Sequence, residues 1–351
     1  MATIKYRELK RRYDLDGPQR TTVHLSEALE QGQLRPEDFS LRDLAEALVP
    51  DGGEWVRSLD PRSAAGSAVL EAGEAVDTTA FLNIAGQVVY SKIMQSYRQE
   101  AFVVSNLVET IPTKMDGEKI PGVTPIQGDA AEVKPGMPYP SLGFGEDYIE
   151  TPSTTKHGFI VPVTKEAIFF DRTYLVLSRA AEVGELLGLN KEKRLLDVVT
   201  GVTNNYKWKG ISHNTYQTAT PWINVKAGNE LVDWTSVDTA EQLFAEMLDP
   251  HTGEPVLIRA NTVLVMPAYR HAALRIFYAP EVRTESGDTA TIAANPLGNY
   301  RVYDSRLAYR RIVASGVAAD NAKKWWFMGN FKKAFACRTK NTSFLHRAET
   351  R

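Results

Sequence analysis

Six histidines, one cysteine and 43 acidic residues are the side chains with which this chain could do chemistry, and their spacing argues against it. His24, His157, His213, His251, His271 and His346 are scattered. None belongs to an H-E-x-x-H pattern or pairs with a cysteine at zinc-ligand spacing, so each reads as a surface or structural histidine. Cys337 has no second cysteine for an internal disulfide and no nearby histidine to activate it. It reads as a small buried hydrophobe in a reducing compartment. Gly143-Phe144-Gly145 is a lone G-x-G without the flanks of a phosphate cradle, and neither a G-x-x-x-x-G-K-[ST] loop nor a G-x-S-x-G elbow occurs. Glu109 with Glu118, and Asp147 with Glu150, are carboxylate pairs of the kind acid–base chemistry uses, but so many acidic residues generate such pairs by chance. Spacing leaves open a constellation assembled from distant positions. The expectation is no catalytic residue, no metal site and no cofactor.

Charge gives one local feature. From Lys323 to Arg351 there are eight Lys/Arg and one Glu. Two readings stand: a solvated strand face and terminus, or weak sequence-independent attraction to phosphate or to an acidic neighbouring surface. Trp325, Trp326, Phe327 and Phe331 interleave with these cations and are expected in a core rather than as base-stacking platforms. The whole chain carries a net charge of −2, without the basic excess of a dedicated nucleic-acid binder. Hydrophobic content of 43% with 24% charge excludes global disorder. The N-terminal MATIKYRELKRRYDLD lacks the apolar run of a secretory signal, and the longest apolar runs (IFF, VLVM, FIVPV) fall far short of the ~20 residues that span a bilayer. A soluble, intracellular product is expected, with no membrane partner.

The elements that would position any site come next. Residues 1–75 read as a separate, apolar-poor region. In it LSEALEQG and RPEDFSLRDLAEALVP are short helices, with starts at Ser26 and Pro36 and a stop at Pro50-Asp51-Gly52-Gly53. A helix follows at about 77–97, capped by Asp77 or Thr78, with Leu82, Ala85, Val89, Ile93 and Tyr97 on one face. FVVSNLVETIPT reads as extended chain. Beyond Pro162 a helix of ~28 residues over 173–200 places Val176, Ala180, Val183 and Leu187 on one face and stops at Gly201. Its internal Gly184 and Gly188 are either tolerated surface positions, or points of close approach by another backbone or of a bend. Later, DTAEQLFAEML reads as a helix with a capping box at Asp238 and Glu241. NTVLVMP is a buried strand, YRHAALRIF a short helix, and NYRVYDSRL and KKWWFMGNFKKAFA are strand-like. The class is α+β, with no repeat and no βαβ series.

Between the two long helices lies a segment that ought not to fold alone. Eight Pro and seven Gly fall between Pro112 and Pro162, which rules out helix. A structureless loop of this length is improbable inside a compact domain. His157, Phe159, Val161 and Val163 alternate as a strand does. The reading is a long two-stranded arm, ordered against something that is not its own domain. The contact residues proposed for it are Pro121, Val123, Tyr139, Leu142, Phe144 and Tyr148.

This order of parts resembles the major capsid proteins of tailed bacteriophages, the Hong Kong 97 fold. Three phrases carry the resemblance: LDPHTGEPVLIRANTVLVMPAYRHAALRIF at 248–277, NPLGNYRVYDSRL at 295–307 and WWFMGNFKKAFA at 325–336. It covers about residues 77–340 and leaves 1–75 unplaced. The resemblance implies a helical N-terminal region or arm (1–76), an arm helix and lead-in strand (77–111), an extended hairpin loop (112–163) and a spine helix of the peripheral domain (164–208). An axial domain (209–304) and closing strands with a basic C-terminus (305–351) complete it. It implies homo-pentamers and hexamers forming an icosahedral virion shell around double-stranded DNA, assembled in the host cytoplasm, with room for portal, scaffold or decoration proteins. Residues 1–75 are expected to be a retained, extended N-terminal arm. Two alternatives stand beside it: an encapsulin-like nanocompartment shell, and a small-molecule enzyme with a mobile lid at 113–162.

Overall fold

The computed structural model describes residues 6–60, 79–98, 102–113, 116–123, 146–219, 223–248, 255–286 and 289–340. The chain opens with helices α1 (Tyr6–Glu30), α2 (Leu41–Leu48), α3 (Gly52–Ser58), α4 (Thr79–Tyr97) and α5 (Val103–Leu107). Strands β1 (Glu109–Thr113), β2 (Ile120–Val123) and β3 (Glu146–Glu150) follow, then helices α6 (Lys165–Phe169) and α7 (Thr173–Val199). Next come β4 (Tyr206–Trp208), β5 (Ile211–His213), α8 (Trp234–Ala245), β6 (Thr262–Val265), α9 (Arg270–Tyr278), β7 (Glu281–Ser286), β8 (Thr289–Ala294) and β9 (Arg301–Asp304). The last elements are α10 (Arg306–Ala314), α11 (Ala319–Lys324), β10 (Trp326–Gly329), α12 (Phe331–Ala334) and β11 (Ala336–Lys340). The α+β expectation holds. No helix among the described residues is long and apolar enough to cross a membrane.

The described chain divides into two compact units: one takes the sequence to Phe102 and again Lys156–Asn190, the other takes Val103–Thr155 and Lys191–Thr342. In the first unit the N-terminal region is folded rather than extended. Leu25 and Leu29 of α1, Leu44 and Leu48 of α2, Phe81 and Ile84 of α4, and Val176 of α7 share one core. The apolar surface that residues 6–60 lack is supplied by α4, α6 and α7, which corrects the extended arm for these residues. The Ser26 start is also corrected, because that residue lies inside α1, a 25-residue helix kinked at Gly17-Pro18. The second short helix starts later than Pro36, which opens a 3₁₀ turn. Ser40 is its cap, accepting the Asp43 N–H at 3.1 Å. Gly52 and Gly53 open α3 instead of marking only a stop.

The face of α4 is rotated from the predicted one. Phe81, Ile84, Ala85 and Val88 are buried while Leu82 is 46% exposed. The helix has apolar residues on most of its circumference, so periodicity alone did not select the stripe. The long helix α7 spans 27 residues, as its spacing requires. Its glycines resolve to close approach within the first unit. A Cβ at Gly184 would lie 2.3 Å from the Ile93 carbonyl oxygen, and one at Gly188 would lie 2.5 Å from the Phe102 ring.

Other boundaries shift. FVVSNLVETIPT is half helix, since α5 precedes β1. The capping box at Asp238 gives way to Asp233, which accepts the Thr235 N–H at 2.9 Å and starts α8 earlier. KKWWFMGNFKKAFA breaks into strand β10, the turn of α12 capped by Asn330, and strand β11.

In the second unit β6 is buried at every position and pairs with β10 on one side and β9 on the other. Period two then sends its side chains into different cores. Val263 and Val265 pack with Val237, Phe277 and Leu297, whereas Leu264 and Met266 pack with Leu196, Ile312 and Phe331. The aromatics expected in a core are there in part: Phe331 is 4% exposed and Trp325 is 39% exposed.

Candidate interaction surface

On either side of residues 124–145, which lie outside the described residues, the chain forms a strand pair, or root, in the second unit. β2 and β3 pair antiparallel with Ile120 opposite Ile149, Pro121 opposite Tyr148, Gly122 opposite Asp147 and Val123 opposite Glu146. Of the six predicted contact residues, Pro121, Val123 and Tyr148 therefore meet at this root. Tyr139, Leu142 and Phe144 lie outside the described residues. The Tyr148 ring carries the Lys119 ammonium 3.8 Å from its centroid, a cation–π contact. β3 continues the sheet into β4 and β4 into β5, giving the order β2-β3-β4-β5.

A polar clamp closes the stems below the root. The Arg338 guanidinium donates to the Glu118 carboxylate at 2.9 Å and to the Glu118 and Lys119 carbonyls at 3.0 and 3.3 Å. Thr151 donates its hydroxyl to the Glu118 carbonyl at 2.5 Å, and Asp116 accepts from the Thr154 N–H and hydroxyl at 2.6 and 2.8 Å. Arg338 reaches this point because β11 pairs in parallel with β1, placing Arg338 opposite Ile111. Sequence reading gave Arg338 only as one cation of a basic tail. Its pairing links residues far apart in the chain, which local patterns do not encode.

The sheet also carries an apolar row. Ile120, Ile149, Trp208 and Ile211 are directly opposite one another in successive strands, so they share a face. The row is uncovered at its end, with Ile149 41% and Ile211 62% exposed. The predicted return strand is a correction: Thr151–Thr164 form no regular structure, and the strand of that limb is β3 instead. Phe159 and Ile160 in this stretch are 60% and 81% exposed.

Elsewhere the polar groups have structural work. Glu192, 2% exposed, accepts from the Val104 N–H at 2.8 Å, the Ser105 N–H at 2.8 Å and the Ser105 hydroxyl at 2.6 Å. It caps α5 from α7, and nothing in its spacing announced it. Asp197 receives a bidentate Arg311 at 2.7 and 2.5 Å. Three cations of the basic tail are paired: Lys323 with Asp320, Lys324 with Glu230 and Arg338 with Glu118. Lys332 and Lys333 are exposed, and 341–351 lie outside the described residues. Burial pushes the Cys337 thiol above its ordinary range against the opposing pull of Lys191 and Arg194, which suits a packed side chain rather than a nucleophile. Among the described residues no group of three or more His, Cys, Asp or Glu is placed to hold a metal ion.

A family model described as "Phage capsid protein" matches residues 148–344, more than half of the chain. Neither the comparison with curated proteins nor that with solved structures found a match.

Proposed function

The chain belongs to the phage capsid protein family, and from that premise we propose that it is the major capsid protein of a tailed double-stranded DNA phage. The family places it among structural proteins that self-assemble into the virion shell. In our reading the chain has the Hong Kong 97 architecture and forms pentamers and hexamers of an icosahedral head. Residues 112–163 are the extended loop and α7 is the spine of the peripheral domain. Residues 209–304 are the axial domain, and 305–351 return to the peripheral domain. Pro121, Val123, Tyr139, Leu142, Phe144 and Tyr148 lie against a neighbouring subunit. The exposed Lys332 and Lys333, with the basic C-terminus, face packaged DNA and attract it without sequence preference.

The observation that carries this reading is the closed root of the excursion. Strands β2 and β3 pair in fixed register, and the large apolar side chains beyond β3 are left in solvent. A single chain gains nothing from that exposure, whereas a shell of identical chains covers it. Electron microscopy of the purified chain tests it. Closed shells with five- and six-fold capsomers are expected. A chain that stays monomeric under every assembly condition, or shells holding an enzyme and no DNA, would overturn it.

A further inference from the structure

We infer that Gly158–Val163, which forms no regular structure in the single chain, becomes a strand by pairing along the open edge of β5 in a second copy. This deepens the shell reading and rests on it. Sequence alternation marks Phe159, Val161 and Val163 as one face of a strand. Yet among the described residues no hydrogen bond involves Gly158–Val163, and Phe159 and Ile160 are 60% and 81% exposed. Exposed apolar side chains on a backbone without hydrogen bonds are what an edge-adding strand presents. Pro162 lacks an N–H, which confines the pairing window to Phe159–Val161.

The receiving edge follows from register. β5 is terminal in its sheet. It joins β4 through the two-residue turn Lys209-Gly210, with Trp208 opposite Ile211, Lys207 opposite Ser212 and Tyr206 opposite His213. In such a hairpin the residues flanking the turn are the hydrogen-bonded pair, and bonded pairs alternate with unbonded ones. The N–H and C=O of Ser212 therefore point to the open side. Ile211 ends the apolar row there, at 62% exposure, and the added strand sets Phe159 at the end of that row. Two other edges fit less well. β2 carries Pro121, which cannot donate, and the β7–β8 ribbon sets the charged Arg283 opposite Ile292. A second copy is the occupant because every subunit of a shell carries both the strand and the edge. A head-to-tail contact of that kind closes into rings.

The test uses the full chain in an assembly titration. Phe159→Asp and Ile211→Lys each sit on exposed groups. Each is expected to raise the concentration needed for shells about tenfold by placing a charge in an apolar row. The double variant is expected to recover most of that loss, because the opposite charges then face each other. Wild-type assembly by either single variant, or a double variant no better than the singles, would overturn the pairing. Hydrogen exchange on wild-type chains gives a second reading that needs no variant to fold. Amides of 158–161 and Ser212 should exchange fast in free subunits and slowly in shells. Shells in which either stretch stays fast overturn this inference alone. No shells from wild-type chains overturn the shell reading and this inference together.

Discussion

At the scale of single residues, two positions on α7 carry more than their side chains suggest. Gly184 admits the α4 backbone so closely that a methyl group would meet the Ile93 carbonyl oxygen at 2.3 Å and the Ser96 Cβ at 2.9 Å. A carbonyl held in a helix cannot swing aside. Gly184→Ala should therefore lose about 1–3 kcal/mol to overpacking, despite the ~1 kcal/mol that alanine offers helix propensity. Gly53, where a Cβ would meet nothing within 4 Å, is the control, and Gly53→Ala should cost nothing in the same urea denaturation. Glu192 is the other position. Its two carboxylate oxygens share three donors, and glutamine keeps only one acceptor oxygen. Glu192→Gln should cost about 1–3 kcal/mol by leaving a buried N–H unpaired, with faster hydrogen exchange confined to α5. Loss without that local signature would mean the carboxylate acts elsewhere. The sequence carried half of this. Glycines inside a long helix flagged a choice between two readings. A lone glutamate among 43 acidic residues flagged nothing, because its donors come from a distant segment.

Among the elements, legibility followed the range of the interactions. Helix α7 was readable because its period repeats over 27 residues, and buried strand β6 because Pro267 bounds an unbroken apolar run. The face of α4 was not, since Leu82 and Phe81 are equally apolar and only packing chooses between them. The pairing of β1 with β11, and of β3 with β4, is set by tertiary contact that no local pattern reports. The β4–β5 hairpin shows a third case. Lys209 (φ 48°) and Gly210 (φ 82°) both occupy the left-handed region, as a type I′ turn demands, although lysine is a poor choice there. Lys209→Asn should stabilise the hairpin by about 0.5 kcal/mol, and Gly210→Val should destabilise it by about 1–2 kcal/mol. Thermal denaturation with exchange at Tyr206 and His213 reads both. Equal effects of the two variants would mean the turn geometry is not what holds β5 beside β4.

For the whole molecule the question is how one chain leaves surface uncovered without losing its fold. Arg338 addresses it by binding both the Glu118 side chain and the carbonyls of the stem, so the root stays closed whatever lies beyond it. Arg338→Met keeps an apolar stem but forfeits those bonds. It should leave helix content unchanged in circular dichroism and cut the yield of assembled material, because the root no longer presents the sheet in one register. The uncovered stretch itself can be read with a protease. Lys156 is exposed and precedes the bare Gly158–Val163 backbone, so trypsin should cut after it readily in free subunits. In assembled particles the same bond should resist, since a paired backbone cannot enter a protease cleft. Equal cleavage after Lys156 in both states would mean this limb stays in solvent inside the shell. The exposure of Phe159 and Ile160 would then have to be explained by something other than neighbouring subunits.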